Sequence, residues 1–262
     1  MNEKLIIIGG GVGPMAGVEL HKKIIENTKT SGNDQDHLQV WHLSRSYDVP
    51  DRTEFLSGKI NTNPAEGMAR TFLLADEMLK VEKLSAVGGV TCNTFHSPSI
   101  FEPFLDILSE ANTGIEILNM IEETGKYIKS KYSDLKKIGL MSTTGTRKTL
   151  VYQQIIESFG FDIVQVSENE QDALHEAIYN LDWGIKAVSP VTSKARQRFL
   201  TYVNELTEKN VGAIILGCTE IPLALPEKEI NGVPLIDPVY VLARELIKNT
   251  NPDKLKSTKD MS

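Results

Sequence analysis

Two apolar runs that each end in a cysteine constrain this chain more than anything else in it. Leu84 to Val90 leads into Thr91-Cys92-Asn93-Thr94, and Gly212 to Gly217 leads into Cys218-Thr219-Glu220. Short apolar runs broken only by small residues read as parallel strands buried on both faces. In open α/β sheets, the carboxyl ends of such strands are where ligand groups are presented. These are the only two cysteines in the chain, and one thiol at each of two strand ends suggests two halves facing a single small molecule.

The order of the remaining signals fits that reading. Leu5-Ile6-Ile7-Ile8 is a strand running into glycines, a helix is expected from Pro14 to Asn27, and Leu38 to Leu43 is a second strand. Asp51-Arg52-Thr53-Glu54 and Asn63-Pro64-Ala65-Glu66 both have helix-start chemistry, a capping side chain with glutamate three residues on. The second opens a helix with Met68, Phe72, Ala75 and Leu79 at helical spacing, and Ser97-Pro98 opens another. The alternation then repeats with a strand from Lys137 to Met141, helices near Lys148 to Phe159 and Ser193 to Lys209, and the strand into Cys218.

From Gly10 to Cys92 is 82 positions and from Thr143 to Cys218 is 75, so the halves are alike in length and in order of signals. The expected fold is α/β: two pseudo-symmetric α/β domains with parallel-type sheets flanked by helices and the active site in the cleft between them. Residues 1–116 plus 222–262 would form the first, carrying Cys92, and residues 117–221 the second, carrying Cys218. The segment Pro234 to Pro238 and the helix after it are expected to pack back onto the first half, and Asn251 to Ser262 to fray.

Composition removes several function classes. The net charge of −7 comes with Lys and Arg scattered along the chain, which leaves no electrostatic footprint for nucleic acid or an anionic membrane. No run approaches the roughly 20 apolar residues of a membrane span. The first residues are too short an apolar stretch for a secretory signal, so a cytoplasmic location is expected. Two cysteines there make neither a structural bridge nor a metal set, which leaves thiol chemistry.

A rival reading comes from Gly11-Val12-Gly13-Pro14-Met15-Ala16, which fits the G-x-G-x-x-A dinucleotide fingerprint, with Ser44-Arg45 placed for a 2′-phosphate. It would make the protein a nucleotide-dependent reductase. Against it, Pro14 removes an amide where pyrophosphate seeks donors, and no carboxylate ends the second strand. A non-catalytic small-anion-binding protein is the other alternative.

A lone cysteine is more often core filling than chemistry. Here both thiols follow glycine-bearing strands and precede hydroxyl or amide donors. Inverting a tetrahedral carbon by proton transfer needs one group to remove the proton and another to return it from the opposite face. A pair of thiols can do that.

The motifs Gly10-Gly11-Val12-Gly13-Pro14, Cys92-Asn93-Thr94-Phe95-His96, Ser142-Thr143-Thr144-Gly145-Thr146, Gly217-Cys218-Thr219-Glu220-Ile221-Pro222 and Pro234-Leu235-Ile236-Asp237-Pro238 together resemble the aspartate racemase branch of the aspartate/glutamate racemase family, over residues 4 to 248. The resemblance implies a racemase of free amino acids that needs neither pyridoxal phosphate nor metal, usually a homodimer. By that resemblance Cys92 and Cys218 match the acid/base pair, and Asn93, Thr94 and Thr219 match the residues that hold the α-amino and α-carboxylate groups. Arg52 and Lys186 match the basic positions that meet the side-chain carboxylate, and Thr143 and Thr144 join them in the substrate site. Val12 and Phe95 stand where the branch commonly has methionine and alanine, which leaves the choice of aspartate or glutamate open. Glu220 replaces the histidine of the cell-wall glutamate racemases, and either raises the thiol pKa by like charge or caps a turn. His96 reads as a structural histidine, and Trp41 and Trp183 as packing.

Overall fold

Six consecutive buried residues, Leu5–Gly10, form strand β1, which is sandwiched between two parallel neighbours in the computed structural model; residues 3–257 are described. The neighbours are β2 (Val40–Ser44) and β3 (Ala86–Val90), and β4 (Ile115–Ile117) completes a four-stranded sheet of order β2-β1-β3-β4, parallel throughout. A second sheet contains β5 (Lys137–Ser142), β6 (Asp162–Gln165), β7 (Ala213–Gly217), β8 (Glu229–Ile230) and β9 (Val233–Ile236) in the order β6-β5-β7-β9-β8. Its first four strands repeat the arrangement of the first sheet. Only β8 runs antiparallel, joined to β9 by Asn231-Gly232, both at positive φ, as a two-residue hairpin requires.

The described helices are α1 (Pro14–Asn27), α2 (Arg52–Leu56), α3 (Pro64–Glu82), α4 (Pro98–Glu110), α5 (Met120–Lys131), α6 (Thr144–Thr149), α7 (Val151–Ser158), α8 (Gln171–Tyr179), α9 (Ser193–Glu208), α10 (Ile221–Ala224) and α11 (Pro238–Thr250). Among the described residues none is long and apolar enough to cross a membrane. Asp51 and Asn63 cap α2 and α3 with their side chains, accepting from the amides of Glu54 and Ala65.

The glycines inside the strands have a packing reason. A Cβ on Gly9 or on Gly88 would lie 2.6 or 2.7 Å from the Phe72 ring, so the two form a notch that receives this side chain of α3. Phe72 is fully buried and meets Phe104 of α4 edge-to-face, with ring centroids 5.4 Å apart. On the other face, Leu242 of α11 lies against Gly89, so the first sheet is covered on both sides, as its unbroken apolar strands demand.

Four local expectations change. The second strand begins at Val40, and Leu38 instead drops its side chain into the core shared with α1 and α11. The helix expected over Lys148 to Phe159 is two, α6 and α7, because Leu150 takes φ 54° and breaks the hydrogen-bond ladder. Pro234-Leu235-Ile236 does not return to the first half. It pairs with β7, where Leu235 and Ile236 are buried, and α11 alone packs back onto α1 and α5. The end of the chain is tied down as far as residue 257: Lys256 donates its amide to Asn27 O, Lys29 donates to Lys254 O, and Thr28 bridges Leu255. The remainder of the expected frayed segment, 258–262, lies outside the described residues, as do residues 1–2.

Emptying the glycine notch should be costly. Phe72→Ala is expected to lower unfolding stability by about 3 to 5 kcal/mol in urea titrations, and a loss below about 1 kcal/mol would show that the ring does not brace α3 on the sheet.

Candidate active site

Each sheet reverses its strand order beside its first strand, β1 in one and β5 in the other, and loops leaving the strand ends there line a crevice. After β3 comes Cys92 and after β7 comes Cys218, so the two thiols leave equivalent strands of the repeated arrangement. Both are free and buried, 7% and 5% exposed, and both line one cavity of about 10 Å³. From the first half, Asn93, Thr94, Arg52 and Thr53 join the lining, and from the second Thr143, Thr219, Lys186 and Tyr179.

The Cys218 side is organised by a carboxylate. Glu220 is 3% exposed, and its Oε2 accepts from Cys218 Sγ at 3.1 Å and from Thr219 Oγ1 at 2.9 Å. Its Oε1 accepts from Lys186 Nζ at 2.5 Å. Burial, reinforced by the Glu220 charge, pushes the Cys218 thiol well above the usual range, against the pull of Lys186. Cys218 is therefore held as a thiol. Burial works against the charge of Lys186, and the Glu220 carboxylate that accepts from Nζ favours it. Burial likewise opposes the Glu220 charge, and Lys186 holds that carboxyl below its usual value.

The Cys92 side has a cation in place of a carboxylate. Arg52 is at the start of α2, where Nη1 donates to Pro50 O at 3.2 Å and Nε is buried without a protein partner. Burial opposes its charge, but the neighbouring Cys92 sulfur and Asp51 carboxylate raise the guanidinium pKa above the ordinary value. His96 is 2% exposed and holds the loop: Nδ1–H donates to Cys92 O at 2.9 Å, and Nε2 accepts from the Met120 amide at 3.3 Å. Burial lowers its pKa to about 4, so it is a neutral brace.

Side chains of the two halves also bond to each other across the crevice. Thr94 Oγ1 lies 2.8 Å from Thr146 Oγ1, which also takes a hydrogen bond from Thr143 Oγ1 at 3.2 Å. Tyr152 of α7 donates its hydroxyl to Asn93 Oδ1 at 2.5 Å.

The glycine-rich turn lies against this site. Gly13 has φ 108°, and a Cβ there would sit 2.6 Å from Glu220 Oε1 and 3.4 Å from Lys186 Nζ. The missing side chain is thus accounted for by the buried ion pair, and a pyrophosphate arriving at this helix start would meet the Glu220 carboxylate.

Of the residues singled out in the sequence, Glu220 stands directly behind Cys218 and Thr219. Val12, Phe95 and Thr144 do not line the cavity. Val12 is 1% exposed in the core below, and Phe95 is fully buried with edge-to-face contacts to Phe101 and Phe104. Thr144 is half-buried and offers its amide to His175 Nδ1 at 3.4 Å. Sequence reasoning passed over Thr53, Tyr152 and Tyr179. The two tyrosines lie on amphipathic helices, where an aromatic reads as core, and only the position of Thr53 inside a capped helix start hinted at a role. Among the described residues, no three of His, Cys, Asp and Glu converge as a metal-ligand set.

The family model described as Asp/Glu/Hydantoin racemase matches residues 10–246. The aspartate racemase of Picrophilus torridus superposes with a TM-score of 0.77 at 25% identity, covering 99% of this chain and 97% of that one. The glutamate racemase of Francisella tularensis, solved with D-glutamate, gives 0.60 at 18% identity, covering 98% and 85%, a likeness of fold. Among curated sequences, a glutamate racemase of Thermoanaerobacter is 26% identical over 171 residues, 64% of this chain but only 58% of the relative's length.

The buried His96 makes stability fall in acid. Its folded pKa of about 4 lies below the ordinary histidine value of 6.5, so the unfolded chain binds the proton more tightly. The stability present above pH 6.5 is then lost progressively down to about pH 4, by roughly 3 kcal/mol. His96→Gln should flatten that part of a stability-versus-pH curve from denaturant titrations, and an unchanged slope would remove His96 from the account.

Proposed function

This chain belongs to the Asp/Glu/hydantoin racemase family, and we propose that it interconverts L- and D-aspartate, with glutamate as the second candidate, by passing protons between the α-carbon and the thiol pair Cys92 and Cys218. The observation that carries the proposal is that two chemically unlike cysteines, one beside Arg52 and one donating to Glu220, line the same small cavity.

In one direction Cys92 as thiolate takes the α-proton, breaking the C–H bond and forming S–H. The electron pair left behind spreads into the α-carboxylate, where the donors of Asn93 and Thr94, with nearby backbone amides, stabilise it. Cys218 then gives its proton to the opposite face of the carbon and becomes the thiolate, beside the Lys186 ammonium. The reverse direction exchanges the two roles, so neither thiol is dispensable. An acidic substrate needs local cations in a protein of net charge −7. Arg52 can hold a side-chain carboxylate through two parallel hydrogen bonds, whereas Lys186, already engaged by Glu220, contributes a point charge.

Amino acids incubated with the protein in deuterium oxide and followed by NMR should show α-deuteration of aspartate, with glutamate slower and alanine slowest, without added metal or pyridoxal phosphate. Cys92→Ala and Cys218→Ala should each lower racemisation by about 10² to 10⁴. A single variant that racemises at the unmodified rate, or a native preference for alanine, would overturn the proposal. Arg52→Ala should raise KM for aspartate and lower kcat together, because a substrate held askew no longer puts its α-proton between the sulfurs. Unchanged kinetics would remove Arg52 from the site.

A further inference from the structure

The amide of Asn93, the residue after Cys92, is bonded on one side only. Its Oδ1 accepts the Tyr152 hydroxyl at 2.5 Å, whereas Nδ2 is buried with no protein partner. Tyr152 is fully buried on α7 among aliphatic and aromatic neighbours, where phenylalanine would pack as well, so packing alone does not account for its hydroxyl. Burial, with Asp237 adding to it, raises the phenol pKa far above the usual value. The phenol thus keeps its proton, and a buried O–H needs an acceptor. Turning the Asn93 amide over would point N–H groups at that hydroxyl and strand its proton.

We propose that Tyr152 is a positioning residue: its hydroxyl locks the Asn93 amide so that Nδ2 is offered to the α-carboxylate of the bound amino acid beside Cys92. This rests on the racemase reading above. An N–H donor fixed there bonds more strongly as negative charge moves onto the carboxylate, so its loss should fall on kcat more than on KM.

Tyr152→Phe should therefore lower kcat for aspartate about tenfold and leave KM within about twofold. In an Asn93→Ala background, the same substitution should change kcat by less than about twofold, since the group it orients is gone. A folded Tyr152→Phe enzyme with native kcat overturns the proposal, as does an equal penalty in both backgrounds, which would mark a purely structural role. The native protein supplies an arm that does not depend on the variant folding. With ¹⁵N-asparagine labelling, the side-chain amide signals that vanish in Asn93→Ala should move on titration with succinate, and signals that stay still as succinate saturates the site, or at its highest concentration, count against the lock. A native protein that leaves the α-protons of both aspartate and glutamate unexchanged, yet moves these signals with succinate, overturns the racemase reading alone. An active native enzyme matched by its Tyr152→Phe variant overturns the lock alone.

Discussion

The Glu220 carboxylate, at 3% exposure, is the constraint around which one side of the cleft is arranged. A buried charge without partners is very costly, and here three donors converge on it from Lys186, Thr219 and Cys218. Each is fixed in return. Lys186 is brought within reach because the chain after α8 folds back, with the amides of Ile185 and Lys186 donating to the carbonyls of Ala177 and Ile178. Gly13, from the other half, must lack a side chain because one would strike the same carboxylate. Residues more than 200 positions apart thus answer to one charge, and taking away either charge of the pair would leave the other buried and uncompensated.

Much of this was legible in the sequence, for identifiable reasons. Strands buried on both faces announce themselves as apolar runs with glycine, and Cys92 and Cys218 could be placed because strand ends in such sheets open into a crevice. The capped starts at Asp51 and Asn63 were readable because a cap is a local hydrogen bond. Local patterns do not carry the partner of a side chain, however. Phe95 sits within a motif that touches the cavity at Cys92, Asn93 and Thr94, yet the short turn over Thr94–His96 rotates it into the aromatic core. Tyr152 and Tyr179 have the opposite history: their helices look like ordinary core helices, and only the apposition of the two halves brings their polar atoms to the cleft.

The repeated strand order gives the two cysteines equivalent places, and their surroundings then make them unequal. One sulfur lies beside a guanidinium and the other donates to a carboxylate backed by an ammonium. A reversible proton transfer through a near-symmetric intermediate needs two groups that trade roles. The topology provides the symmetric placement, and the side chains give the two sulfurs different electrostatic surroundings.

The cavity of about 10 Å³ has room for about one water, and an amino acid is several times larger. Thr94–Thr146 and Asn93–Tyr152 tie the two halves across the crevice, so under the racemase reading proposed above, admission of an amino acid would break these bonds and part the halves. In that reading turnover would have a ceiling set by the frequency of the opening motion, however fast the proton moves. Such an enzyme would slow as solvent viscosity rises while the isotope effect of the transferred hydrogen is masked. Between openings, the carbanion would be shielded from bulk water, and the only protons within its reach would be those carried by the enzyme.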